Sequence, residues 1–535
     1  MGRCASLSEG PVLRSVLYFA FVVPVLISCG GGGGGGGSSN TISGGNNNTN
    51  NNTDGWIPGV FLPASTYQSM CASPVPGSGD FQGTVTDENN FLRPYSNDTY
   101  LWYDEIVDRD PALFSTPIYF ELLKSDEQTP SGNFKDKFHF TIPTDEWNAL
   151  SQAGESIGYG AQFAILHGAP PNRLVVVAYT EPDTPATAAG ANLVRGEQIL
   201  TVDGVNVANG NDFDTLNAGL FPATAGESHT FTVRDLNDMD RTFTMQSAVI
   251  TSTPVQNVPP IATATGNVGY ILFNDHIATA EGGLFDAVTD LVAAGITDLV
   301  VDVRYNGGGF LAIASELAYM IAGDVPTAER TFEEIKFNDK HPNIDPVTGD
   351  FLAPIPFFNQ SLGFDPSLNP GTQLPTLDLP RVYVLTGSGT CSASESIMNS
   401  LHGVGVEVIQ IGSTTCGKPY GFYPTDNCGT TYFTIQFQGV NDMGFGDYSD
   451  GFSPENTANN PGTSVPGCSV GDDFSHALGD PAEARLAAAL SHRVGGGCPA
   501  ASGLSAPALS LRSQLPVDDM VVPKTAWQQN RIMRR

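Results

Sequence analysis

The sequence predicts an α/β core preceded by a β-rich domain and a small helical cap. Three observations carry that reading. After residue 255, apolar strands alternate with amphipathic helices; between 150 and 250, short β-rich runs are separated by turns; before 150, aromatic anchors fall at helical spacing. A chain of 535 residues with 40% apolar and 9% aromatic side chains can bury several cores. Its formal net charge of -32, from 24 basic and 56 acidic residues, repels phosphate backbones and anionic head groups, so no nucleic-acid partner is expected.

Residues 1–28 read as an export signal: Arg3 and Arg14 precede the apolar run from Val16 to Ile27, which is too short to span a bilayer. The end of that run, Leu26-Ile27-Ser28-Cys29, resembles a bacterial lipobox, which implies lipidation of Cys29 and membrane contact through that anchor only. The Gly- and Asn-rich stretch 29–62 cannot bury a core and serves as a tether. The bacterial cell envelope is the expected location. Gly30 supplies no acidic retention signal, which directs the anchor towards the outer membrane, facing the periplasm or the cell surface.

Residues 63–148, with "NDTYLWYDEI" at 97–106, form the expected helical cap and show no chemistry. Residues 149–252 hold "RLVVVAYT", "HTFTVRDL" and "RTFTMQS". Pro185-Ala186, Ala189-Gly190, Arg195 to Leu200 and Val202-Asp203-Gly204 make this stretch resemble a PDZ domain. That resemblance implies a groove taking an extended peptide as an added strand, with Gly158, Tyr159, Gly160, Ala161, Gln162 and Phe163 as the loop that receives it. A β-rich spacer without a ligand is the alternative.

Residues 253–498 form the core. Its strands are "VGYILFN" (268–274), "DLVVDVR" (298–304), "RVYVLT" (381–386) and "VEVIQIG" (406–412), with a β-pair around "TTYFTIQFQG" and helices over 284–292, 311–321 and 392–402. The tail, 499–535, ends in "NRIMRR" and has no periodicity.

Of eight cysteines, Cys4 leaves with the signal and Cys29 carries lipid; the remaining six are an even number in an exported protein. Cys416 with Cys428 and Cys468 with Cys498 are the expected disulfides. No C-x-x-C pair or His-x-x-x-His spacing is present, so no metal and no cofactor are expected.

Sites in α/β layers form at the carboxyl ends of strands, and three unusual segments fall there: "DVRYNGGG" (302–309), "TGSGTCSASE" (386–395) and "GSTTCGKPYGF" (412–422). Ser392 and Glu395 fit a capping box, and Ser392 also fits a nucleophile. An aliphatic hydroxyl needs a base. Lys418, 26 residues further on, can supply one if apolar neighbours keep its amine neutral. Glu395 lies one turn from Ser392 and can orient either group. Replacement of Glu395 by Gln should then be mild. Backbone N–H groups of Gly308, Gly309 and Ala393 are placed to receive an oxyanion.

In order and nearly in spacing, these segments resemble the C-terminal-processing protease family, serine peptidases of S41 type that use a Ser/Lys dyad with a PDZ domain upstream. The resemblance covers about 150–490 and is strongest over 298–422. It implies a crotonase-like protease core and an exported endopeptidase that captures polypeptides and cleaves them through an acyl-enzyme. Thr390-Cys391 stands where many relatives carry Ser-Ala, Val303 replaces Leu, and Pro419 follows the lysine. A disulfide at Cys391 or Cys416 would make activity redox-sensitive. A catalytically inactive peptide-binding lipoprotein of the same fold, or a glycan-binding envelope protein, are the competing readings. The histidines offer no triad; His402 falls at the far end of the helix after Ser392.

Overall fold

Every residue of Asp298–Asp302 is buried, as expected for a strand inside a mostly parallel sheet covered on both faces. This computed structural model describes residues 56–499, apart from 169 and 461, together with the backbone at 531–532. The expected leader, Cys29 and most of the tether lie outside the described residues, as does nearly all of the tail.

Across the sheet run Val255–Gln256, Gly266–Phe273, Asp298–Asp302, Arg381–Thr386, Glu407–Gly412 and Gly467–Ser469. Only the first pair is antiparallel. Helices Ala280–Ala293, Leu311–Ala322 and Ala393–Gly403 intervene between successive strands, giving βαβ units. The strand pleat sends Leu299 and Val301 into one apolar cluster and Val300 into the other, so both faces of the sheet are covered. Leu311–Ala322 is buried almost all round, as an interior helix must be.

The β-rich domain is an antiparallel sheet of Ala161–His167, Leu174–Thr180, Gln198–Val202, Ser228–Arg234 and Asp240–Gln246, with the helix Phe213–Leu220 and a core of its own. Glu155–Gly158 pairs with Ala248–Thr251 and closes its base near the expected boundaries. Arg195 fastens it to the core: its guanidinium donates to Asp472 Oδ1 at 2.7 Å and to the Tyr305 hydroxyl at 2.6 Å. Asp472 also accepts from Arg304 at 2.6 Å, so one buried carboxylate joins the two domains.

Three expectations are corrected. Residues 63–148 are less helical than their periodicity suggests. Beyond the helix Val85–Thr99, which begins at a Thr84/Asp87 capping box, they contribute the short helices Thr116–Glu121 and Thr144–Asn148, turns, and the strand Phe140–Pro143, which extends the core hairpin at Thr430–Phe433. The supposed β-pair of 430–439 is two strands in different sheets: Thr430–Phe433 pairs with Thr425–Asn427, whereas Phe437–Val440 pairs with Thr331–Lys336. Cys416 does not pair with Cys428. The disulfides are Cys71–Cys428, Cys391–Cys416 and Cys468–Cys498. Cys428 ties down the cap, and Cys416 is drawn instead to the loop before Ser392.

Candidate active site

The loops after Asp298–Asp302, Arg381–Thr386 and Glu407–Gly412 meet at one end of the sheet. Thr390 Oγ1 donates to Val303 O at 2.7 Å, Cys391 N–H to Asn306 O at 3.1 Å, and Cys416 N–H to Thr390 O at 2.9 Å. Gly412 makes the last approach possible: it sits at φ +137°, and a Cβ there would fall 2.0 Å from Thr386 O.

Ser392 starts the helix Ala393–Gly403, but not as an ordinary cap. Its backbone is at φ 58°, ψ -115°, a conformation that non-glycine residues rarely adopt, whereas an N-cap normally lies in the β region. The two capping-box positions are filled, and the carboxylate half is made: Ser392 N–H donates to Glu395 Oε2 at 2.9 Å. Ser392 Oγ, however, is buried and carries no hydrogen bond. Backbone strain with an uncommitted hydroxyl is what a displayed nucleophile looks like.

Glu395 is fully buried and accepts four donors. Thr415 Oγ1 and Gly417 N–H reach Oε1 at 2.5 and 2.9 Å; Ser392 N–H and Lys418 N–H both reach Oε2 at 2.9 Å. Burial holds its carboxyl above the ordinary carboxylate range, and these four donors offset only part of that rise. The Cys391–Cys416 disulfide, with Cα atoms 5.1 Å apart, makes a second tie between the same loops. Cys391, Glu395 and Cys416 are grouped closely enough to hold a metal, but the two sulfurs are bonded to each other and the carboxylate is saturated with donors.

Lys418 is fully buried, with Nζ 4.3 Å from the centre of the Phe422 ring and 4.7 Å from that of Phe138. Phe138 comes from the region 63–148, whose residues show no chemistry when read as sequence. Lys137 beside it donates to Cys416 O at 3.0 Å, and Trp102 meets Tyr420 edge-on at 4.8 Å, so this region forms one wall of the site.

Of the proposed oxyanion donors, Gly308 gives its N–H to Asn306 Oδ1 at 2.9 Å and is engaged. Gly309 is held by its neighbours: His276 N–H donates to Gly308 O at 3.1 Å and Phe310 N–H to His276 O at 2.8 Å. Because peptide groups alternate along a strand, the N–H of Gly309 faces away from His276. Ala393 is the first residue of the helix, where N–H groups point outward along the axis. His276 and Asn306 support this loop, their side chains 3.0 Å apart; Asn306 lies in the segment 302–309 singled out above, whereas nothing in the sequence marked His276. His402 is exposed at the far end of the helix.

In the β-rich domain, Gly158, Tyr159, Gly160, Ala161 and Gln162 line a cavity of about 830 Å³ together with Leu220, Phe221 and Ile277. Neither Ser392 nor Lys418 lines it. Phe163 does not belong to this loop: it is buried in the domain's core.

At one end of the α/β core, strand-end loops converge on a serine, a buried lysine and a glycine turn. Residues 267–422 match the model of peptidase family S41. The chain is 30% identical over 177 residues to a carboxyl-terminal-processing protease of Picosynechococcus sp., covering 32% of this chain and 39% of that protein. It is 25% identical over 251 residues to the chloroplastic carboxyl-terminal-processing peptidase 1 of Arabidopsis thaliana, covering 44% and 42%. It thus spans about two-fifths of the length of these relatives. A crystal structure of an S41 protease from Bacteroides fragilis superposes with a TM-score of 0.55 at 21% identity, over 76% of this chain and 97% of that one, which shows a shared fold.

Proposed function

We propose that the chain is an exported serine endopeptidase that cleaves polypeptides, with Ser392 as nucleophile and Lys418 as general base. The observation that carries this reading is the strained, buried Ser392 with its unbonded hydroxyl, joined through Glu395 to the backbone of a buried lysine. The burial of Lys418 against Phe138 and Phe422 is the apolar surrounding that a lysine base requires.

Lys418 Nζ removes the Ser392 proton as Oγ attacks the scissile carbonyl carbon. The oxygen that gains the negative charge is received by the N–H groups of Gly309 and Ala393. Collapse breaks the C–N bond, and the leaving amine takes the proton from Lys418. Water then attacks the ester carbonyl and gives a proton to Lys418 Nζ; collapse breaks the C–Oγ bond, Ser392 Oγ takes that proton back, and the new carboxyl terminus leaves. Glu395 touches no reacting atom; it positions both loops.

The cavity beside Gly158–Gln162 serves as the capture groove for an extended segment of substrate, at a distance from the cleavage point. Cys29 anchors the chain through lipid, and Cys29→Ala should release it from membranes. Unchanged fractionation of that variant would contradict the anchor. For the activity, the test is hydrolysis of an unfolded polypeptide by the chain and by Ser392→Ala. Cleavage lost in the variant supports the reading; cleavage retained removes Ser392 from it.

A further inference from the structure

Gly309 and Phe310 form a two-residue strand whose second flank is already occupied. One flank is pinned to His276 by the two backbone hydrogen bonds described above. On the other, Arg531–Ile532 adds in parallel, Gly309 opposite Arg531 and Phe310 opposite Ile532. The same two residues lie alongside Tyr420–Gly421, just past Lys418. They are therefore placed between the glycine loop and the lysine loop.

We infer that residues 531–532 occupy the strand position at which an extended polypeptide docks for cleavage, so the chain covers its own site until this segment leaves. This rests on the peptidase reading and deepens it. A polypeptide whose carbonyl is to reach both Ser392 Oγ and the Gly309 N–H must run along the free edge of Gly309–Phe310. Main-chain pairing to such an edge is how sheet edges take extended peptides, whatever their side chains. Gly309 is fixed for this purpose. At φ +134° a Cβ would lie 2.3 Å from His276 O, so only glycine keeps that edge in place.

Charge favours this occupant. Residues 500–535 carry the cations Arg512, Lys524, Arg531, Arg534 and Arg535 against Asp518 and Asp519, in a chain of net charge -32. At the wall the segment touches, burial and the charges of Asp447, Asp136, Asp450 and Glu105 push the Tyr420 hydroxyl up, marking acidic surroundings.

Two measurements test this. In the first, both the full chain and a chain ending at Thr525 carry Ser392→Ala, and each is titrated with a labelled synthetic peptide of residues 526–535, read by fluorescence anisotropy. The shortened chain should bind saturably, with an unfolded polypeptide displacing the peptide, and the full chain at least tenfold more weakly. Equal binding by the two, or no binding by the shortened chain, overturns the inference. In the second, both chains keep Ser392 and hydrolyse reduced casein. The shortened chain should be at least fivefold faster, and the peptide should slow it again when added. Equal rates overturn the inference. If both chains are inert while the first measurement gives the expected result, the peptidase reading fails and the docking site stands.

Discussion

Ser392 and Lys418 donate their backbone N–H groups to the same oxygen of Glu395, each at 2.9 Å. A single carboxylate thus sets the separation of the proposed nucleophile and base. This changes what a conservative substitution does. The sequence alone makes Glu395→Gln look mild, but both oxygens already accept two donors, and an amide nitrogen can accept none. At least one buried backbone N–H loses its acceptor, at a cost of roughly 1–3 kcal/mol. We expect Glu395→Gln to fall at least tenfold in turnover, with a smaller change in KM, because the loops shift rather than the groove. Wild-type turnover in this variant would remove Glu395 from positioning the pair.

The Cys391–Cys416 disulfide flanks both residues, one position before Ser392 and two before Lys418. Replacing both cysteines with serine should cost about 3 kcal/mol from loop closure alone. Activity at a temperature well below unfolding should fall further than that loss of stability explains, since only the Glu395 carboxylate and the Cys416–Thr390 backbone hydrogen bond then hold the two loops together. Thermal melts and rates on the same samples separate the two effects. A variant that melts lower but cleaves as fast shows the disulfide to be structural only.

Glu316 provides a pH signature remote from the catalytic groups. Burial, and then the charge of Glu281, push its carboxyl up to about 9. Glu281 meanwhile accepts the backbone N–H groups of Leu362, Gly363 and Asp365. In the unfolded chain Glu316 loses its proton near ~4.3, so between that pH and about 9 the folded chain holds the extra proton. Stability should fall as pH rises through this window. Glu316→Gln cannot ionise and can still donate to Glu281; it should match wild type near pH 4 and exceed it by on the order of 1–3 kcal/mol at pH 9. Parallel melting curves for the two proteins across the window would contradict the assignment.

Ser392→Gly tests the strain directly. Glycine adopts φ 58°, ψ -115° freely, and the hydroxyl it removes makes no hydrogen bond. The variant should be inactive and more stable than wild type by about 1 kcal/mol, the expected trade of stability for a displayed nucleophile. A destabilised Ser392→Gly protein would return the hydroxyl to a capping role.

Much of the core was legible because its signals are local. "DLVVDV" is apolar without alternation, as a strand covered on both faces must be, and "TCSASE" sits where a strand gives way to a helix. The placement of Gly308, Gly309, Ser392 and Lys418 at strand ends was legible for the same reason, since each belongs to a short string there. What escaped depends on distant pairing. Phe138 walls Lys418 across 280 positions of chain, and nothing near it marks the contact. Cys416 lies nearer in sequence to Cys428 than to Cys391, so spacing favours the wrong partner until Thr390 O and Cys416 N–H are seen to join the loops. Phe163 reads as part of a peptide-binding loop, yet its position on the strand faces the domain core.

The central claim is most directly tested by the rate of Lys418→Met on an unfolded polypeptide. Methionine keeps the length and apolar contacts of the buried stem against Phe138 and Phe422 and removes only the amine. The account predicts a folded protein with a wild-type melting profile and a rate reduced by roughly 10²–10⁴-fold, the usual worth of a positioned general base. A folded Lys418→Met protein that cleaves at the wild-type rate would contradict it.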